Sequence, residues 1–75
     1  MRSFKTYMIT HYLDEDTPQG DLARDIKDDT NFPGHTTDFA IVYYYFKSRG
    51  ACREALQAFY DVWGHYCAFR EGAEE

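Results

Sequence analysis

Proline occurs twice and glycine five times in 75 residues. Linkers and low-complexity tracts are rich in such residues, so the chain is neither. Bases are also short: 8 Lys and Arg stand against 13 Asp and Glu, a formal net charge of -5. That removes the basic signature of an ordinary nucleic-acid binder. The longest apolar run, Phe39 to Phe46, has eight residues, whereas a membrane span needs about 20. No span is expected. Met1 to Lys5 opens no stretch resembling a secretory signal, so the expected location is the cytoplasm. The two cysteines, Cys52 and Cys67, are 15 positions apart on one expected helix. That places them roughly 22 Å apart, beyond the about 7 Å between Cα atoms that a disulfide tolerates. Both read as small core hydrophobes.

What the chain has in quantity is rings. Aromatics make up 19% of it, as seven Tyr, six Phe and one Trp. A domain this short is marginal, and large rings bury more area per residue than Ala or Val. A hydrophobic share of 44% argues against disorder.

Four helical segments separate at three breaks. The first spans about Ser3 to Leu13, with Ser3 as its cap and Phe4, Tyr7, Met8 and Tyr12 at helical spacing. Asp14 to Thr17 breaks it. Thr17 as cap with Pro18 at the first helical position starts the second, which runs to about Asp29 on a narrow stripe of Leu22, Ala23 and Ile26. Asn31-Phe32-Pro33-Gly34 reads as a turn with an apolar plug. The third helix spans about Thr37 to Arg49, capped by Thr36 or Thr37, with Asp38 complementing the dipole and Gly50 as the stop. The fourth spans about Ala51 to Arg70, with Leu56, Phe59, Trp63, Tyr66 and Cys67 on its inner face. Gly64 lies mid-helix, off that stripe, at a cost of about 1 kcal/mol. The expected organisation is an all-α, compact four-helix domain over 1–70, with 71–75 as an acidic frayed tail. Its expected core is Phe4, Met8, Leu22, Ile26, Phe32, Phe39, Val42, Phe46, Leu56, Phe59, Trp63 and Tyr66.

Ser3-Phe4, Asn31-Phe32-Pro33, Thr37-Asp38-Phe39 ahead of Val42, Tyr45 and Phe46, and Phe59-x-x-x-Trp63-x-x-Tyr66 follow one another in a familiar order. That order resembles the YozE family of small bacterial proteins, whose fold is similar to a sterile alpha motif domain. The resemblance covers about residues 3 to 66. It implies a compact four-helix domain and assigns no functional residue, because the matching positions are nearly all aromatic core. Sterile alpha motif folds host protein contacts and, less often, nucleic-acid binding; both come by analogy alone. Tyr43-Tyr44-Tyr45 is more aromatic than the family pattern requires.

Five constellations carry chemistry or fail to. Asp14, Glu15, Asp16, Asp21, Asp25, Asp28 and Asp29, with only Arg24 and Lys27 among them, hold a net charge of -5 in one strip. Outside it acids and bases balance. Such a strip is either a solvated face or a surface that attracts a basic groove. Asp14-x-Asp16 hints at a calcium loop, but Pro18 and Gln19 stand where a ligand and a glycine are required. Tyr43, Tyr44 and Tyr45 spread round the third helix at about 100° each, with Ile41 and Tyr44 nearly opposite the core face. A helix apolar all round is buried or meets a partner. Lys47, Arg49 and Arg53 cluster at the turn between the third and fourth helices. They suit a helix C-terminus or a phosphate, but three charges on an acidic chain bind weakly and give way to salt. Finally, His11, His35 and His65 lack ligand spacing, and no nucleophile–base pair or Gly-rich phosphate loop occurs. No catalytic, cofactor or metal residue is assigned.

The expected function is a non-catalytic protein-binding module. In sharper form it is a small acidic inhibitor of bacterial or phage origin. Its strip would face the basic groove of a nucleic-acid-handling partner, with Ile41, Tyr44 and Tyr45 as the apolar anchor. The alternatives are a nucleic-acid-binding domain using Lys47, Arg49 and Arg53, and self-association through the third helix.

Overall fold

The computed structural model describes residues 2–70, and the acidic tail expected at 71–75 lies outside them. Four helices follow in chain order: α1 Phe4–Tyr12, α2 Pro18–Asp28, α3 Phe39–Ser48 and α4 Arg53–Ala68. No strand occurs among the described residues.

Local chemistry sets the helix ends. Ser3 accepts from the Thr6 N–H at 3.2 Å, and Thr17 accepts from the Gly20 N–H at 3.0 Å. Each satisfies an orphan donor of a first turn. The α1–α2 loop is held from outside. Arg24, on α2, donates through Nη1 to the carbonyls of Leu13 and Glu15, at 2.8 and 2.9 Å. Gly20 permits this closeness: a Cβ there would stand 2.0 Å from the Glu15 carbonyl oxygen. At the start of α3 the cap is Asp38 rather than Thr36 or Thr37. Its carboxylate accepts from the Ala40 N–H at 2.9 Å, while the Thr36 hydroxyl serves the loop by accepting from the Asp38 N–H. Gly50 ends the segment in the left-handed region, with φ of 73°. The fourth helix starts later than expected, at Arg53, with Cys52 as a cap residue that forms no side-chain bond.

Helices α1, α2 and α4 approach one another closely, whereas α3 stands off on a layer of rings. Phe59, fully buried, is the hub. Its centroid lies 5.1 Å from Phe46, 5.2 Å from Phe39, 5.6 Å from Phe4 and 5.7 Å from Trp63. The plug Phe32 packs edge-on against Tyr45 and lies beside Phe46, which seats the α2–α3 loop. Tyr66 is fully buried, and its hydroxyl donates to the Arg2 carbonyl at 2.5 Å. A buried hydroxyl without such a partner would cost stability.

The core differs from the expected list at its edges. Tyr7, Ala23, Ala58 and Val62 join it. Leu56 is only half-buried, and Phe39 is 39% exposed. Phe39 is the first residue of α3, so its ring stacks with Phe59 and Tyr43 and meets Trp63 edge-on while part of it stays open to solvent. Of the two cysteines, Cys52 is no core hydrophobe, being exposed at the mouth of α4, whereas Cys67 is half-buried and packs against the core beside Arg70.

Candidate functional site

Two surfaces emerge, and α4 stands between them. The first is acidic. Asp14, Glu15 and Asp16 are exposed in the α1–α2 loop, and Asp21, Asp25 and Asp28 are exposed along α2. Asp21 bonds Arg24 at 2.5 Å, with the Asp21 side chain largely in solvent and that of Arg24 partly so, so the pair adds little stability. Arg24 spends its other amine on the loop carbonyls, which leaves Lys27 as the strip's other cation. Across a shallow groove lined by Pro18, Leu22 and Ala55, Asp21 and Asp25 face Cys52 and Glu54. Glu54 therefore extends the acid face onto α4. The sequence strip missed it, because it lies 25 residues past Asp29.

Asp29 does not belong to that outward face. It caps the C-terminus of α2, is half-buried, and accepts both the Tyr45 hydroxyl and the Asn31 N–H. Those bonds, the tyrosine's first, hold its carboxyl below the usual range. The same carboxylate raises the Tyr45 phenol above its ordinary value. Tyr45 is thereby corrected as an anchor. It is half-buried against Phe32, its hydroxyl is occupied, and the Arg49 guanidinium sits 5.4 Å above its ring.

The sign of this coupling predicts a pH profile. A lowered carboxyl stabilises the fold fully above its unfolded value and loses that contribution as pH falls through the folded one. A raised phenol stabilises below its unfolded value and loses the contribution as pH rises through the folded one. The melting-temperature gap between the wild type and Tyr45→Phe should therefore be widest from about pH 5 to about pH 9 and narrow on both sides. Thermal melts across pH check this; a gap that ignores pH would contradict it.

The second surface is aromatic. Ile41 and Tyr44, which point away from the core face, are 49% and 66% exposed. The apolar surface continues from them onto α4 rather than towards the acids. Tyr44 touches Tyr43 at 5.1 Å; Tyr43 stacks with Phe39 at 5.6 Å and with Tyr60 at 6.4 Å. Tyr60, 47% exposed, was not singled out from sequence. Its signal was its place about 100° past Phe59, on the flank of α4 that meets α3. Partial burial, then Tyr43, raises its phenol above the ordinary value. Lys47, Arg49 and Arg53 are all exposed at the α3–α4 turn.

Among the described residues no three His, Cys, Asp or Glu side chains gather as a metal site, and no helix is long and apolar enough to cross a membrane.

Four short helices around a ring-filled core, closed by capped turns, define a sterile-alpha-motif-like helical domain. The family model described as the YozE SAM-like fold matches residues 3–68. The chain belongs to that family. No curated protein and no solved structure matches it.

Proposed function

We propose that the chain is a non-catalytic protein-binding module that occupies the basic, nucleic-acid-binding groove of a partner protein. The observation that carries this is the acid face. Six carboxylates of the loop and α2 stand exposed, Glu54 continues them across the groove, and among the described residues one ion pair alone joins any of them to a cation. Such a face raises the encounter rate with a positively charged cleft and specifies it against neutral surfaces. The mechanism is steric and electrostatic exclusion of the partner's nucleic acid, which makes the chain an inhibitor. The fold suits that task because its core fixes the α2 face on three close-packed helices.

The test reverses Asp21→Lys, Asp25→Lys and Asp28→Lys together. All three are exposed, so the melting temperature should hold. Relief of like-charge spacing along α2 offsets part of any other change. Immobilised wild type should retain a basic protein from cell lysate at low salt, and the triple variant should not. Retention of the same protein by both forms would refute the role given to the acid face.

A further inference from the structure

We propose that the ring surface between α3 and α4 binds single-stranded nucleic acid, at a site separate from the acid face. Phe39, Tyr43, Tyr44 and Tyr60 form the platform. Phe39, Tyr43 and Tyr60 lie near-parallel, with interplanar angles of 14°, 23° and 23°. Tyr44, 66% exposed, packs edge-on against Tyr43. Rings that hold one another are ordered before a ligand arrives, which lowers the entropic cost of binding. An unpaired base of any sequence has a π face, and each base stacked on an aromatic ring strengthens binding by about 5- to 150-fold.

Cations border the same rings. Lys47 follows Tyr44 by three residues and Tyr43 by four, so it shares their face of α3. Arg53 precedes Tyr60 by seven residues, two turns along one face of α4. Neither Lys47 nor Arg53 forms an ion pair among the described residues. Arg49 lies in the turn between them, with its guanidinium over the neighbouring Tyr45 ring rather than over the platform. The helix α3 itself contains no acid, and Glu54 turns instead to the groove with α2.

This combination selects the occupant. Duplex DNA hides its base faces and offers only phosphates, which three cations on a net-acidic chain hold weakly. An acidic protein segment would meet the cations but has few planar groups for four rings. A single strand offers phosphates and free base faces at once.

Fluorescence anisotropy of a labelled oligothymidine, about 15 nucleotides long to exceed one site, tests the proposal at low salt. Saturable binding is expected. Three phosphate contacts give a log–log salt slope of about -2, or roughly a twentyfold loss between about 50 and 200 mM salt. Tyr44→Ala should weaken binding by about 5- to 150-fold with an unchanged melting temperature. Lys47→Ala, Arg49→Ala and Arg53→Ala together should flatten the slope. A duplex of matched length should bind at least about tenfold more weakly. The proposal is overturned by any of four results: no anisotropy change up to roughly 0.2 mM protein, beyond weak non-specific binding; equal affinity for the duplex; full binding by Tyr44→Ala; or sedimentation showing a dimer that Tyr44→Ala dissolves, which would assign the rings to a second copy.

Discussion

Phe59→Ala should lower the free energy of unfolding by about 3–5 kcal/mol, the range for emptying a buried aromatic site. The site cannot collapse to refill itself, because Phe4, Phe39, Phe46 and Trp63 contact the ring from four directions. A 75-residue chain at about 0.05–0.15 kcal/mol per residue has only about 4–11 kcal/mol in total. The substitution therefore removes about a quarter of the stability or more. Each kcal/mol moves the midpoint of a domain this size by about 4–8 °C, so the melt should fall by about 12–40 °C. Near-ultraviolet circular dichroism should flatten well before helicity is lost, since α3 reaches the rest of the domain mainly through these rings. A loss under about 1 kcal/mol, the scale of an ordinary point change, would show that Phe59 is not the hub.

Two glycine-to-alanine changes should move stability in opposite directions. Gly20→Ala places a Cβ 2.0 Å from the Glu15 oxygen and 3.1 Å from the Tyr12 oxygen. Both are backbone atoms, and Arg24 pins the Glu15 carbonyl. The loop must shift or α2 must lose its first turn, at a cost near about 3 kcal/mol, the upper end for overpacking. The midpoint should drop by about 12–24 °C. Because that loop carries Asp14, Glu15 and Asp16, the acid face moves with it. Gly64→Ala meets nothing within 4 Å and removes the helical penalty of glycine, a gain of about 1 kcal/mol. Its midpoint should rise by about 4–8 °C. Thermal melts of the two variants beside the wild type decide both; a destabilised Gly64→Ala would contradict the open surface drawn over α4.

These glycines also show what the sequence displayed and what it hid. Helix starts at Ser3 and Thr17 were legible because an N-cap is a local event, readable within four residues. The stop at Gly50 and the plug at Phe32 were legible for the same reason. The need for glycine at position 20 was not, since it arises from a loop folding back onto α2. Cap choice at α3 failed: Thr36 or Thr37 was expected, with Asp38 serving only the dipole, whereas the loop places the Asp38 carboxylate on the Ala40 N–H and the Thr36 hydroxyl on the Asp38 N–H.

The surfaces divide the same way. The direction of Ile41 and Tyr44, opposite the core face, followed from angular placement on one helix, and so did the shared face of Asp21, Asp25 and Asp28; whether Ile41 and Tyr44 meet solvent did not, because a helix apolar all round can be covered on every side. Contacts between helices did not. Nothing in the spacing ties Tyr45 to Asp29, yet that bond converts a proposed anchor and a proposed surface acid into structural partners. Glu54 joins the acids and Tyr60 joins the rings only once α4 lies beside α2 and α3.

The most direct measurement of the central claim is mutual exclusion. The partner retained by the acid face should be loaded with a labelled duplex, whose base faces the ring surface of α3 and α4 cannot reach, and then titrated with this protein. The account predicts that labelled duplex is released in proportion to protein bound, that release weakens as salt rises, and that the Asp21, Asp25 and Asp28 reversal releases none. A stable ternary complex, with protein and nucleic acid on the partner together, would contradict it.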